Sequence, residues 1–386
     1  MAEGAILSLR EAFETAIAMH HDGRLDVAAD LCRLVVDQQH DHAGALLMLG
    51  NIAATAGRDD EALPLLSRAA AAAPHEPVFH RVLGECLNRL GRFDDATESF
   101  RRYVALMPDN AESLFLLGCV LSERGLVTEA VDTFLQALHL APDDVFILIN
   151  LGMSFSESGN LGNAAACLER AIALEPDRAE AWGNLANIRI LQGRLDEAVT
   201  AVQRAIALRP DIAELSASLG NALGTIGRYD EAYAAYRRAL ELRPSMDFAH
   251  SNLILLADFD PAHTVATQQA ERRAWYQRVA ARLKGPIPPH ANGPNPDRRL
   301  RVGYVTADFR AHSAAFAFGP VLRHHDRDRF EVVCYSGVMI EDAMTQRFKE
   351  QASLWRHTVG VSDEDMAEQI RRDGIDILVD LSGHTI

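Results

Sequence analysis

Residues 193–210 read GRLDEAVTAVQRAIALRP, and residues 91–108 read GRFDDATESFRRYVALMP. Each begins with a glycine, has an aspartate three residues on and an alanine two after that, and closes on a proline. Extending the frame outward in steps of 34 gives a proline column at Pro74, Pro108, Pro142, Pro176, Pro210 and Pro244. A glycine column runs through Gly23, Gly57, Gly91, Gly125, Gly159, Gly193 and Gly227. An alanine column runs through Ala28, Ala62, Ala96, Ala130, Ala164, Ala198 and Ala232. Three columns in register over roughly 220 residues mark an internal repeat, and a fixed period of this length is the signature of a solenoid.

Each column has a physical task. Proline has no amide hydrogen and restricts the residue before it, so it marks the end of the second helix of a unit. The glycines stand between the two helices, where a left-handed residue terminates the first. Asp26, Asp60, Asp94, Thr128, Gly162, Asp196 and Asp230 follow three residues later and are expected to cap the second helix. The alanines then fall on its first turn, where a larger side chain would push the paired helix away. Inside the first helix, Gly50, Gly84, Gly118, Gly152, Ala186 and Gly220 form another small column. Glycine there costs about 1 kcal/mol relative to alanine, so close helix–helix approach is the expected compensation. The leucines just before it, from Leu49 to Leu253, are expected to fill the seam.

The pattern resembles the tetratricopeptide repeat, a helix–turn–helix unit of 34 residues. Seven units fit between Leu9 and Met246, and Asp247–Ala257 begins an eighth, giving an α-solenoid over residues 1–257. In such a stack the first helices line a groove. The position before the leucine column reads Glu14, Met48, Val82, Leu116, Asn150, Asn184, Ser218 and Asn252. An amide side chain carries donors and an acceptor together, so Asn150, Asn184 and Asn252 are expected to hold the backbone of a protein segment or extended peptide. The groove has no row of lysine or arginine, which disfavours a clamp for an acidic tail.

The formal charge of −16 and a pI near 5.4 disfavour nucleic acid, whose phosphates need a basic surface. They equally disfavour an anionic membrane surface. No apolar run approaches the ~20 residues of a membrane span, and the N-terminus lacks the basic region of a signal peptide. Cys32, Cys86, Cys119, Cys167 and Cys334 form no CxxC pair, which fits a reduced, cytoplasmic setting better than a disulfide framework or a zinc site.

Beyond Ala257 the period breaks at DFDPAHTV. Thr264–Leu283 reads as one amphipathic helix, and KGPIPPHANGPNPDRR, with five prolines, as a linker. Together these make a connecting region over residues 258–298. From residue 299 to 386 strand and helix patterns alternate. RLRVGYVTADF holds a strand at Leu300–Thr306, SAAFAFGPVLRHHD a helix, FEVVCYSG a strand, EDAMTQRFKEQA a helix and LWRHTV a short strand. SDEDMAEQIRRDG is a helix capped by Ser362 and stopped at Gly374, and IDILVDL a last strand. This order predicts a parallel, Rossmann-like α/β sheet. His312 and His384 stand in loops at carboxyl ends of strands, where open α/β sheets bind ligands and where an imidazole can serve as acid, base or phosphate partner. No GxGxxG is present, so nicotinamide and flavin cofactors have no support.

RLRVGYVTADFRAHS, FEVVCYSG and WRHTVGVSDEDMAEQIRRDGIDILVDLSGHT resemble the start of the catalytic region of the O-linked N-acetylglucosamine transferases, repeat-containing protein glycosyltransferases that include SPINDLY-like proteins. The repeat array, the FDP break, the connecting helix and the PDRRLRVGYV junction come in that family's order. The resemblance implies a GT-B arrangement, in which two Rossmann-like lobes face each other across a nucleotide-sugar, so residues 299–386 would be a partial first lobe. It implies transfer of a sugar from a nucleotide-sugar, UDP-GlcNAc, to Ser or Thr of a protein held along the repeat groove, with no separate cofactor. His312 matches the histidine of the family's DF-x-x-H motif, considered there as a base; His384 matches a loop position that is histidine or tyrosine in relatives.

The rest of the first lobe and the second lobe, which in relatives holds uridine and places a lysine against the diphosphate, are missing from this sequence. Truncation and negligible turnover by this chain alone are therefore expected. The alternative reading is a non-catalytic repeat adaptor for protein–protein interaction.

Overall fold

Helices of 13 or 14 residues alternate along the first part of the chain. The structure, a computed structural model, describes residues 8–279, 281, 289, 292, 293, 295 and 297–381. The chain divides into two units, Met1–Glu271 and Arg272–Ile386.

In the first unit, the first helices of successive repeats are α1 (Leu9–His21), α3 (Ala43–Thr55), α5 (Pro77–Arg89), α7 (Ala111–Glu123), α9 (Val145–Glu157), α11 (Ala179–Leu191) and α13 (Ala213–Ile226). The second helices are α2 (Leu25–Gln38), α4 (Asp59–Ala72), α6 (Phe93–Leu106), α8 (Val127–Leu140), α10 (Leu161–Leu174), α12 (Leu195–Leu208) and α14 (Tyr229–Leu242). The eighth opening helix is α15 (Asp247–Phe259). Each helix packs on the ones before and after it, which is the solenoid the period predicts.

The turn inside each repeat is built on the glycine column, whose φ values run from +71° to +89°. The next amide then closes back on the first helix: Arg24 N–H reaches Met19 O at 2.8 Å, Arg92 N–H reaches Leu87 O at 2.9 Å, and Arg194 N–H reaches Arg189 O at 2.8 Å. That same residue is the N-cap of the second helix. The aspartate column therefore does not cap. Asp26, Asp60, Asp94, Asp196 and Asp230 lie in the first helical turn instead, where their charge suits the positive end of the helix dipole. Thr128 and Gly162 hold the same place in α8 and α10. The reason is economy of chain: the glycine turn uses its following residue twice, so the helix starts two residues earlier than capping chemistry suggests.

The small column in the first helices is a set of sockets. A Cβ at Gly118 would lie 2.6 Å from the Phe134 ring, and one at Gly220 would lie 2.8 Å from that of Tyr236. Phe134 and Tyr236 are 0% and 3% exposed, so the large ring sixteen residues on offsets the cost of a helical glycine. Where the column holds Ala186, the partner is the smaller, buried Val202. The alanine column from Ala28 to Ala232 is fully buried, as close packing of the paired helices requires. On α11, Arg189 takes the place that Leu87 and Leu121 hold in other repeats. Its guanidinium, 7% exposed, is held by Glu169 and by Glu197.

The connecting helix α16 (Val265–Arg278) is shorter than the span Thr264–Leu283, and the division between the units falls inside it. Leu283 lies outside the described residues. Glu271 accepts hydrogen bonds from Tyr233 and, at 2.8 Å, from Arg237, tying the middle of α16 to α14.

In the second unit, β1 (Leu300–Thr306), α17 (Ser313–Arg323), β2 (Phe330–Ser336), α18 (Ala343–Gln351), β3 (Leu354–His357), α19 (Asp363–Arg372) and β4 (Ile377–Asp380) form a parallel sheet in the order β3-β2-β1-β4. One face carries Val302, Tyr304, Val332 and Cys334 against Phe309, Phe318 and Phe348; the other carries Val333, Tyr335 and Ile375. The amino edge is closed by two carboxylates. Asp376 takes Arg298, the Arg301 N–H at 2.8 Å and Asn292. Asp373 takes Tyr335 Oη at 2.8 Å and Arg356 at 2.7 Å. Just past α17, His325 Nε2 lies 2.6 Å from Tyr304 Oη.

Candidate functional site

Strand order turns around at β1: the chain steps outward to β2 and β3, then returns to β4 on the other side. The carboxyl end of β1 is thus a topological switch point, the place in an open α/β sheet where a crevice forms. The loop that leaves it is Ala307–His312.

Four contacts shape that loop. Thr306 Oγ1 accepts the Asp308 N–H at 3.0 Å. Phe309, fully buried, wedges among Phe318, Phe348 and Trp355 with ring centroids 5.1–5.6 Å away. Asp342, the N-cap of α18, reaches across to accept the Ala311 N–H at 2.7 Å. His312 is the N-cap of α17, its Nδ1 accepting from Ala314 N–H at 3.3 Å. Asp308 Oδ2 lies 3.5 Å from the same nitrogen. The carboxylate is 11% exposed and the imidazole 40%, so the ring is open to a ligand while its acidic neighbour is shielded. Hydrogen bonds from Ala311 and Thr345 N–H hold the Asp342 carboxyl below the usual carboxylate range.

Next along the edge, Glu341 joins Lys349 at 2.6 Å and lies 3.5 Å from His357 Nε2 at the end of β3. On the other side Asp380 ends β4 opposite Val305. His384 lies outside the described residues.

In the first unit the three predicted asparagines have different surroundings. Asn150 Nδ2 donates to Phe146 O of its own helix at 2.8 Å. Asn252 Nδ2 donates to Asn221 Oδ1 and to Tyr236 Oη, both at 3.1 Å. Asn184 makes no side-chain hydrogen bond among the described residues. It lines a pocket of about 570 Å³ with Asn187, Ser218, Arg178, Arg209 and Glu214. Asn187 uses its Oδ1 to accept from Ser218 Oγ at 3.1 Å, which leaves its Nδ2 donors directed to no partner among the described residues. The single column therefore does not act alike, and a second column three residues later, Asn187 and Asn221, joins it. That second column was readable, because positions three apart share a helix face. Asp308 was legible only as the first residue of the DF-x-x-H motif, and Asp342 carried no comparable signal, since capping and loop-bridging contacts depend on tertiary placement.

Residues 241–386 match the model of glycosyl transferase family 41, the stretch that contains the loop just described. Over these residues the chain is similar to the repeat-containing O-GlcNAc transferases. Residues 10–281 match the tetratricopeptide model described as the cilia and flagella-associated protein 70 C-terminal domain, so the array belongs to that repeat class. Among curated relatives, a protein of Oryza sativa named "Probable UDP-N-acetylglucosamine--peptide N-acetylglucosaminyltransferase SPINDLY" is 41% identical over 105 residues, 25% of this chain and 11% of that protein. Its namesake in Arabidopsis thaliana is 38% identical over 95 residues, 24% and 10% of the two chains. The match thus spans about a tenth of these relatives' length. Among solved structures, an O-GlcNAc transferase mutant of Thermobaculum terrenum is 33% identical with a TM-score of 0.54, over 63% of this chain and 46% of that one. A tetratricopeptide repeat protein of Parabacteroides merdae, 16% identical with a TM-score of 0.53 over 64% and 98%, shares the fold. No helix among the described residues is long and apolar enough to cross a membrane.

Proposed function

We propose that the chain carries the acceptor-binding array and part of the sugar-transfer site of a protein O-glycosyltransferase, with UDP-GlcNAc as donor and Ser or Thr of an extended polypeptide as acceptor. The observation that supports this best is His312: a half-exposed imidazole at the sheet's switch point, on a loop fixed by Phe309 and Asp342, inside the family 41 match. In the reaction, the hydroxyl O–H bond breaks and its proton passes to Nε2 of His312. The oxygen bonds to C1 of the sugar while the C1–O bond to the diphosphate breaks, and that electron pair leaves with the diphosphate. His384 is proposed as a second lining residue of the crevice. Asn184 and Asn187 offer the donors that would hold the acceptor's backbone, with Asn150 and Asn252 in lesser roles.

The test is incorporation of radiolabelled GlcNAc from UDP-GlcNAc into Ser/Thr-rich peptides, alongside peptide-binding anisotropy. The chain alone should bind peptide with negligible incorporation; with the remaining catalytic lobes of a relative supplied, label that disappears in His312→Ala, with binding retained, is the expected result. Binding without any incorporation once those lobes are supplied would favour the adaptor reading.

A further inference from the structure

Two groups make opposite demands on Nδ1 of His312. Ala314 N–H, 3.3 Å away, needs a lone pair there; Asp308 Oδ2, 3.5 Å away, needs a proton there. One nitrogen of a neutral imidazole can satisfy one of them at a time. With the proton on Nε2 the ring caps α17, and Nε2 has no lone pair to offer. With the proton on Nδ1 the ring donates to Asp308, the cap is released, and Nε2 becomes an acceptor.

The surroundings decide which demand is stronger. Asp308 is 8% exposed, and among the described residues its carboxylate has no hydrogen-bond donor other than this ring. A shielded carboxylate without a donor is costly. Ala314 N–H lies on the first turn of a helix, half-buried, where water can replace a cap. The loop offers the carboxylate little room to move away, because Thr306 holds its backbone amide and the next residue, Phe309, is locked in the aromatic cluster.

We infer that Asp308 is a positioning residue that draws the proton of neutral His312 to Nδ1, turning the ring from a helix cap into a proton acceptor at Nε2. The inference rests on the reading of His312 as the base, and concerns a residue that acts through that ring.

The experiment is two-bond 1H–15N correlation spectroscopy of the full chain labelled with 15N-histidine, in alkaline buffer where imidazoles are neutral. The His312 signals are assigned by their loss in His312→Gln. The wild-type ring should favour the Nδ1–H form. Asp308→Ala should move it to Nε2–H, changing the ratio by about tenfold or more, as loss of a hydrogen bond to a charged group implies. If the alanine variant does not fold, Asp308→Asn keeps the shape, removes the charge and should shift the ratio the same way. An unchanged ratio in a folded variant overturns the inference. The readout is independent of turnover. A shifted tautomer with no GlcNAc incorporation by the wild type, once the remaining catalytic lobes of a relative are supplied, would keep the positioning role and remove the base role. Incorporation with an unshifted tautomer would do the reverse.

Discussion

Asp342 grips Ala311 across the carboxyl edge of the sheet: Oδ2 accepts the Ala311 N–H at 2.7 Å while Oδ1 accepts those of Met344 and Thr345 at 2.9 Å. One carboxylate thus starts α18 and fixes the residue before His312. Replacing it by alanine should free both at once. Hydrogen exchange at Ala311 and in the first turn of α18 is expected to speed up together in Asp342→Ala, with α19 unaffected. Faster exchange in α18 alone would mean that the loop is held by other contacts.

The socket at Gly118 predicts a compensating pair. Gly118→Ala places a Cβ on the Phe134 ring and should cost about 1–3 kcal/mol, the usual range for overpacking. Phe134→Val alone should leave a cavity and also destabilise. Together they recreate the Ala186 and Val202 pairing of a later repeat, so the double variant should be more stable than the sum of the single losses allows. Denaturant melts of the four chains measure the coupling; strict additivity would contradict the socket.

Peptide binding should separate the asparagines. Asn184→Ala and Asn187→Ala should each weaken binding of an extended Ser/Thr peptide by roughly fivefold to tenfold, the loss of about one hydrogen bond. Asn252→Ala should mainly reduce stability, because its amide nitrogen is engaged by Asn221 and Tyr236. Equal losses of affinity for all three, without loss of stability, would restore a uniform row.

Acid should loosen the second unit through its amino edge. The Arg298 guanidinium, with Arg301 N–H and Asn292, holds the Asp376 carboxyl far below the ordinary range against the effect of burial. For Asp373, burial pushes upward, but Arg356, Tyr335 and Gln369 outweigh it and hold the carboxyl low. A carboxyl lowered in the folded state stabilises fully above its unfolded pKa of about 4, and that contribution is lost as pH falls toward the folded value. Chemical denaturation at pH 7, 4 and 3 should therefore show a steep decline that is shallower in Asp376→Asn. A parallel decline in both chains would assign acid sensitivity elsewhere.

Arg189 should tolerate leucine. The column already holds Leu87 and Leu121, and the partners Glu169 and Glu197 are about half exposed, so neither is left as a buried charge. Arg189→Leu is expected to be neutral to stabilising in a thermal melt, while Arg189→Ala, which leaves a cavity, should lower the midpoint.

Much of the repeat architecture was legible because it is written many times over. A proline, a glycine and an alanine recurring at one period leave little freedom, and Leu300–Thr306 carries the same bounds in the sequence reading and the structure. What was not legible depended on how chain segments meet. The aspartate column looked like caps because residue preference speaks of helix starts in general, while here the Arg24 and Arg92 amides had already been committed to the preceding helix. His312 was visible as a loop histidine, but its link to Asp308 became apparent only once α17 began at Ser313. Asn150 and Asn252 looked identical in their column, and their neighbours one turn or one repeat away separate them.

The joint after each glycine, where one residue closes one helix and opens the next, has no slack to take up. Adding a single residue there would swing the following rod by about 100°, so the array cannot be lengthened gradually. Its reach grows or shrinks by whole modules.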